Sequence, residues 1–177
     1  MNLKSDDIEL RNFNKEDAKK MAVLADNYKI SRNLRDGFPN PYTIENAEDF
    51  IRKFIFQNPL TVFAIEYKNE YVGNIGLSMG VDVYRKSAEL GYFIGEPYWN
   101  LGITTTAINL ITEYGFQKLN LIRIYSGVFD FNLASQRVLE KCNFTREGIM
   151  KKAVFKSNKI CDEYRYAKIN PKYDNQV

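Results

Sequence analysis

The chain has no histidine among its 177 residues. That absence removes every mechanism needing an imidazole, including the Ser-His-Asp triad and most zinc enzymes. Proton transfer must then use a carboxylate, Tyr, Lys, Cys, an amine terminus or water. Cysteine is scarce as well, with only Cys142 and Cys161. Two cysteines without a nearby histidine suggest neither a zinc site nor a disulfide scaffold, so no metal is expected. No apolar run approaches the length of a membrane span. Met1–Asp7 is polar and lacks the apolar stretch of a signal peptide, which leads us to expect a cytosolic protein. Excess charge of one sign is also missing: 25 Lys plus Arg face 22 Asp plus Glu, a net +3. So small a surplus does not argue for nucleic acid. Repeats, low-complexity tracts and linkers are absent.

What is present is the composition of a soluble globular protein, 45% hydrophobic and 27% charged. The length fits one domain spanning residues 1–177 and allows a core of ordinary size. Ile8–Phe13 alternates like a strand. Asn14 with Glu16 and Asp17 predicts a helix start, running to about Asn27. Arg32–Thr43 holds Gly37, Pro39 and Pro41 and reads as a loop. Thr43 then caps a helix with Ala47, Phe50, Ile51 and Phe54 at 3–4 spacing. Thr61–Tyr67, Tyr71–Met79 and Ser87–Ile94 read as strands, the first two joined by a turn at Asn69. A helix over Ile103–Leu119, a strand over Ile122–Phe129 and a helix from Asn132 to Cys142 follow. Asn132 is a natural N-cap, and Asn143 sits where a left-handed residue often ends a helix. Gly148–Phe155 and Tyr164–Ile169 complete the strands. The predicted class is α/β, a mixed, mostly antiparallel sheet of about seven strands flanked by four helices.

Glu96–Thr105 joins a strand to a helix N-terminus. Helix starts offer amide N–H groups and a positive dipole end, which suit a pyrophosphate. Gly102 would let backbone approach a ligand, and Thr104–Thr106 could add hydroxyls. An ordinary strand-to-helix turn explains the same residues. Glu89 shares a strand face with Gly91 and Phe93. Gly91 leaves room beside the Glu89 carboxylate, which could accept a proton from an ammonium group; a cross-sheet ion pair is the other reading. Asn132 and Ser135 form N-x-x-S at a helix start, where capping alone would account for them. Phe38, Tyr42 and Tyr92 are candidates for an acceptor pocket, or for core packing. Asp162, in a predicted turn NKICDEY, could bind an amine or simply be solvated.

The segments AELGYFIGEPYW, AINLITEYGF and NLASQRVLEKCNFTREG resemble the GNAT superfamily of N-acetyltransferases. The likeness is to the branch that acetylates ribosomal-protein alanine and serine N-termini (RimJ/RimL type). It covers nearly the whole chain and is densest over Ser87–Ile169. The family's acetyl-CoA loop reads Gln/Arg-x-x-Gly-x-Gly/Ala. Here it reads Trp99-Asn100-Leu101-Gly102-Ile103-Thr104. Asn100 replaces the branch's usual Gly, Leu101 its Lys or Arg, and Thr104 its Gly or Ala, so one cationic phosphate contact is missing.

The resemblance implies a splayed parallel strand pair in mid-sheet and acetyl-CoA as cofactor. It implies that Phe93 and Ile94 supply backbone to the pantetheine arm. It also implies Glu89 as base, Ser135 as acid toward the leaving thiolate, and Asn132 near the cofactor. The family's helix tyrosine corresponds to Leu139, and the branch's glutamate on the next strand to Val154, so neither group is present. The implied activity is direct acetyl transfer to a primary amine, on a protein N-terminus or a small molecule. A non-catalytic CoA-binding or partner-binding protein on the same fold is the alternative. The expected assembly is a monomer or homodimer, with no nucleic acid or membrane partner.

Overall fold

Ile8 and Leu10 are buried while Glu9 and Arg11 stand between them half-exposed, the period-2 pattern that makes β2 (Ile8–Arg11) a strand with one core face. The computed structural model describes residues 3–173, and all structural statements concern them. Eight strands form one sheet: β1 (Leu3–Ser5), β2, β3 (Val62–Tyr67), β4 (Glu70–Met79), β5 (Ser87–Ile94), β6 (Arg123–Phe129), β7 (Thr145–Lys156) and β8 (Lys159–Ile169). Their order is β1-β2-β3-β4-β5-β6-β8-β7. The pair β5–β6 is parallel; β1–β2, β2–β3, β3–β4, β6–β8 and β7–β8 are antiparallel. Five α-helices accompany them: α1 (Asp17–Ala25), α2 (Tyr28–Ser31), α3 (Ile44–Phe54), α4 (Ile103–Gln117) and α5 (Leu133–Lys141). The extra strand and helix, relative to the sequence reading, are β1, three residues long, and α2, a single turn. Neither is long enough to show a period.

The expected caps are present. The Thr43 hydroxyl accepts from the Asn46 amide at 3.3 Å in a capping box. The Asn132 side chain accepts from the Ser135 amide at 3.2 Å. Asn143 is left-handed at φ 61° and ends α5, with the Phe144 amide reaching back to the Leu139 carbonyl at 3.0 Å. Lys68 and Asn69, both at positive φ, make the β3–β4 turn. The β7–β8 turn falls at Ser157–Asn158, also both at positive φ, so NKICDEY is largely strand and Asp162 lies in β8.

The chain forms two compact units. The first contains the residues up to 76 together with 92–110. Its core gathers Phe13, Met21, Leu24, Ile30, Tyr42, Ala47, Ile51, Tyr71 and Phe93. The second contains 77–91 and the residues from 111 onward. There α5 and the latter half of α4 pack against the even-numbered face of β6 and β8. Gly115 meets Ile124, Tyr166 is fully buried, and its hydroxyl donates to Glu140 at 3.0 Å.

Candidate active site

In the first unit, β5 runs through a 3-10 turn (Glu96–Tyr98) into Trp99–Gly102 and then α4. Asn100 and Gly102 both have positive φ, 62° and 78°. Asn is one of the few non-glycine residues that tolerates this region, so the Asn100 that replaces the branch's Gly keeps a left-handed backbone. A Cβ on Gly102 would meet no atom within 4 Å, so protein leaves the space above it empty. The first intrahelical bond of α4 is Thr106 N–H to the Gly102 carbonyl at 3.1 Å. The amides of the preceding turn therefore come before the helix's own ladder, which is the geometry that receives anions. Ile103 is 1% exposed and anchors the turn, while Leu101 is exposed at the loop tip.

Trp99, the single tryptophan, ties this loop back to β5, its indole Nε1–H donating to the Ile94 carbonyl at 2.7 Å. Glu96 accepts from Asn27 at 2.7 Å and pairs with Lys29. The Lys29 bond first, then the Asn27 bond, holds the Glu96 carboxyl below its usual range. On β5 itself the Phe93 carbonyl lies hard against Gly73 of β4, and the Gly95 amide donates to Val72 at 2.9 Å. The Phe93 carbonyl thus faces its neighbouring strand. The backbone groups of Ile94, the next residue, alternate to the other side of β5. Phe38 packs on Tyr42 and on the Phe93 ring, with centroids 4.9 and 5.7 Å apart. Tyr42 is buried, and its hydroxyl donates to the Met21 sulfur at 3.6 Å. Burial pushes its phenol up to about 12. Tyr92 is half-buried.

In the second unit, the parallel ladder is short. It pairs Ser87 with Arg123, Ala88 with Ile124 and Glu89 with Tyr125, and no further pair follows although both strands continue. Just past its end, the buried Ser126 hydroxyl donates to the Leu90 carbonyl at 3.0 Å. A side chain has taken over where backbone pairing stops. Glu89 and Gly91 share the odd face of β5 with its aligned partner Tyr125. Gly91 is exposed, and a Cβ there would meet nothing within 4 Å. Tyr125, Gly127 and Phe129 line the odd face of β6, opposite Ala167, Arg165 and Glu163 of β8.

Glu163 is buried, and a Cβ on Gly127 would sit 2.7 Å from its carboxyl carbon. A side chain at 127 would have to displace the carboxylate lying over it. Arg165 Nε pairs with Glu163 at 2.7 Å and donates to the Met150 sulfur at 3.1 Å, with its guanidinium carbon 5.9 Å from the Tyr125 ring centre. Ser135, half-buried, opens α5 through the Asn132 cap. Asp162 is an ion-pair partner of Lys151 at 2.7 Å and accepts from the Lys152 amide at 2.8 Å. The Lys151 bond, then the Lys152 amide, holds its carboxyl low. Among the described residues, no group of three or more His, Cys, Asp or Glu could hold a metal ion.

Glu89, Gly91 and Gly102 stood out in the sequence as candidates; Ser126, Gly127, Glu163 and Arg165 did not. The signal for the last two was the alternation of D-E-Y-R-Y, hidden by starting β8 at Tyr164.

The family model described as Acetyltransferase (GNAT) domain matches residues 7–145. A curated relative, the "Uncharacterized N-acetyltransferase YoaA" of Bacillus subtilis (strain 168), is 30% identical over 175 residues, covering 96% of this chain and 97% of that one. The crystal structure of a microcin self-immunity acetyltransferase, MccE, in complex with acetyl-CoA and AMP superposes with a TM-score of 0.79 at 27% identity, covering 94% of each chain. The fold of RimL, a ribosomal-protein alpha-N-acetyltransferase in complex with coenzyme A, matches at a TM-score of 0.82 over 96% of this chain and 98% of that one, at 20% identity.

Proposed function

The chain belongs to the GNAT acetyltransferase family, and we propose that it transfers the acetyl group of acetyl-CoA directly to a primary amine. The observation that carries this reading is the Trp99–Thr106 segment: two left-handed residues, an empty space over Gly102, and a helix turn ahead of its first internal bond. Acetyl-CoA bound to MccE, a relative of the same fold at 27% identity, supports the cofactor. The amides from Gly102 to Thr105, ahead of the Thr106 bond, receive the pyrophosphate, and Ile94 offers backbone to the pantetheine arm. Loss of the branch's Lys or Arg at Leu101 leaves these amides and the helix dipole as the main attraction.

For the acceptor, Glu89 is the base and Gly91 provides the room beside it. The amine must lose a proton before its lone pair attacks the thioester carbonyl; the nitrogen–carbon bond forms, the carbon–sulfur bond breaks, and the thiolate leaves with the electron pair. Ser135 or water then protonates the thiolate. Holding both reactants in line supplies much of the rate. Leu139, fully buried, offers no hydroxyl for that last step, which is the one observation favouring a protein that binds CoA without turnover.

A screen of acetyl-CoA with peptides and small amines, products identified by mass spectrometry, separates the two. An acetylated amine and released CoA in equal amounts support transfer. CoA binding with no product across the panel would make this a binding protein.

A further inference from the structure

Arg165 has a guanidinium that is only partly spent. Its Nε serves Glu163 and Met150, and its ring contact is Tyr125. Its two terminal nitrogens donate no hydrogen bond among the described residues. The Glu163 pair and the Tyr125 ring fix the plane of the group, so the terminal N–H fork is oriented before any ligand arrives. That fork stands on the same sheet face as Glu89 and Gly91. Register decides this: Glu89 aligns with Tyr125, and Arg165 pairs with Gly127, two residues on. The face is open at its centre, with Gly91 exposed. Its other arginine, Arg123, is already bidentate on Glu147.

We propose that Arg165 is a specificity-determining residue that binds a carboxylate on the acceptor, so that the substrate class is α-amino acids and similar amines bearing a nearby carboxylate. The inference rests on the reading of Glu89 as the group facing the amine. A planar fork matches a carboxylate with two parallel bonds, while Glu163 neutralises the arginine's other edge and keeps it in place. An amine whose carboxylate lies one carbon away would present its nitrogen toward Glu89 and its anion toward Arg165. A peptide N-terminus has an amide at that position and leaves the fork unused.

The test uses the product analogues N-acetylalanine and N-ethylacetamide, which differ at that position by the carboxylate, with binding read by chemical-shift titration. The wild-type protein is expected to bind N-acetylalanine about tenfold or more tighter, the worth of a charge-assisted pair. In the double variant Glu163→Gln/Arg165→Met, which leaves no buried carboxylate unpaired, the difference should fall to about twofold. Arg165→Lys, keeping the charge without the fork, should recover only part of it. A melting curve on each variant confirms the fold. Equal affinity of the two analogues for the wild-type protein, or a preference that survives loss of Arg165, overturns the assignment. Preferential binding combined with no acetylation of any amine would instead overturn the transferase reading and leave the carboxylate site standing.

Discussion

At Gly102 the backbone φ of 78° is open to glycine and costly for a β-branched residue. Gly102→Val should strain the loop by about 1–2 kcal/mol. If the loop relaxes away from its left-handed form, acetyl-CoA affinity falls about tenfold. Calorimetry with CoA checks this, and unchanged affinity would remove the loop from the cofactor site. Glu89 and Ser135 are separable by kinetics. Glu89→Gln should lower turnover about 100- to 10,000-fold, most at low pH, where the amine holds its proton hardest. Ser135→Ala should cost less, since water can protonate a thiolate. Wild-type rates for Glu89→Gln across the pH range would make water or another group the base. Glu89, Gly91 and Gly102 were legible because each stands in a local pattern: one strand face, one strand-to-helix turn. Glu163 and Arg165 were not, because the D-E-Y-R-Y alternation gives them a shared face, while the residues they meet are set by pairing with β6, 34 to 38 residues away in sequence.

At the scale of elements, the point where β5 and β6 stop pairing is held by one side chain. Ser126→Ala removes the bond to the Leu90 carbonyl and leaves that buried acceptor without its hydroxyl partner. The expected cost is about 1 kcal/mol in urea unfolding. If Ser126 also sets the geometry beside Glu89, the turnover number falls in the protein that remains folded. A stability loss with normal turnover would make Ser126 a purely structural device. Most helices and strands were readable from capping residues and apolar spacing, α3 and α5 above all. The β7–β8 hairpin was not. β7 is exposed along nearly its whole length, so it carries no inside-outside alternation. Its polar turn residues extend into both strands, which shifted the expected turn onto Asp162.

Over the whole molecule, surface pairing sets the response to acid. The Tyr98 bond, then Lys20, lowers the Glu70 carboxyl; Arg123 lowers Glu147, Lys29 lowers Glu96 and Lys151 lowers Asp162. A carboxyl held low in the folded state contributes stability that is complete above its unfolded pKa and lost as pH falls through the folded one. The melting temperature should therefore stay level from about pH 7 to 5 and decline below about pH 4. All four groups are solvent-accessible, so the decline should be shallow and flatter still in added salt. A steep, salt-independent loss would contradict surface pairing as the cause. The family likeness spans nearly the whole chain, and every step of the proposed transfer depends on the cofactor. Equilibrium binding of acetyl-CoA, followed by calorimetry and by the emission of the single tryptophan at position 99, tests it most directly. Saturable binding of one acetyl-CoA per chain is expected, with a change in Trp99 emission that saturates at the same concentration. No binding heat together with unchanged emission at millimolar acetyl-CoA would contradict it.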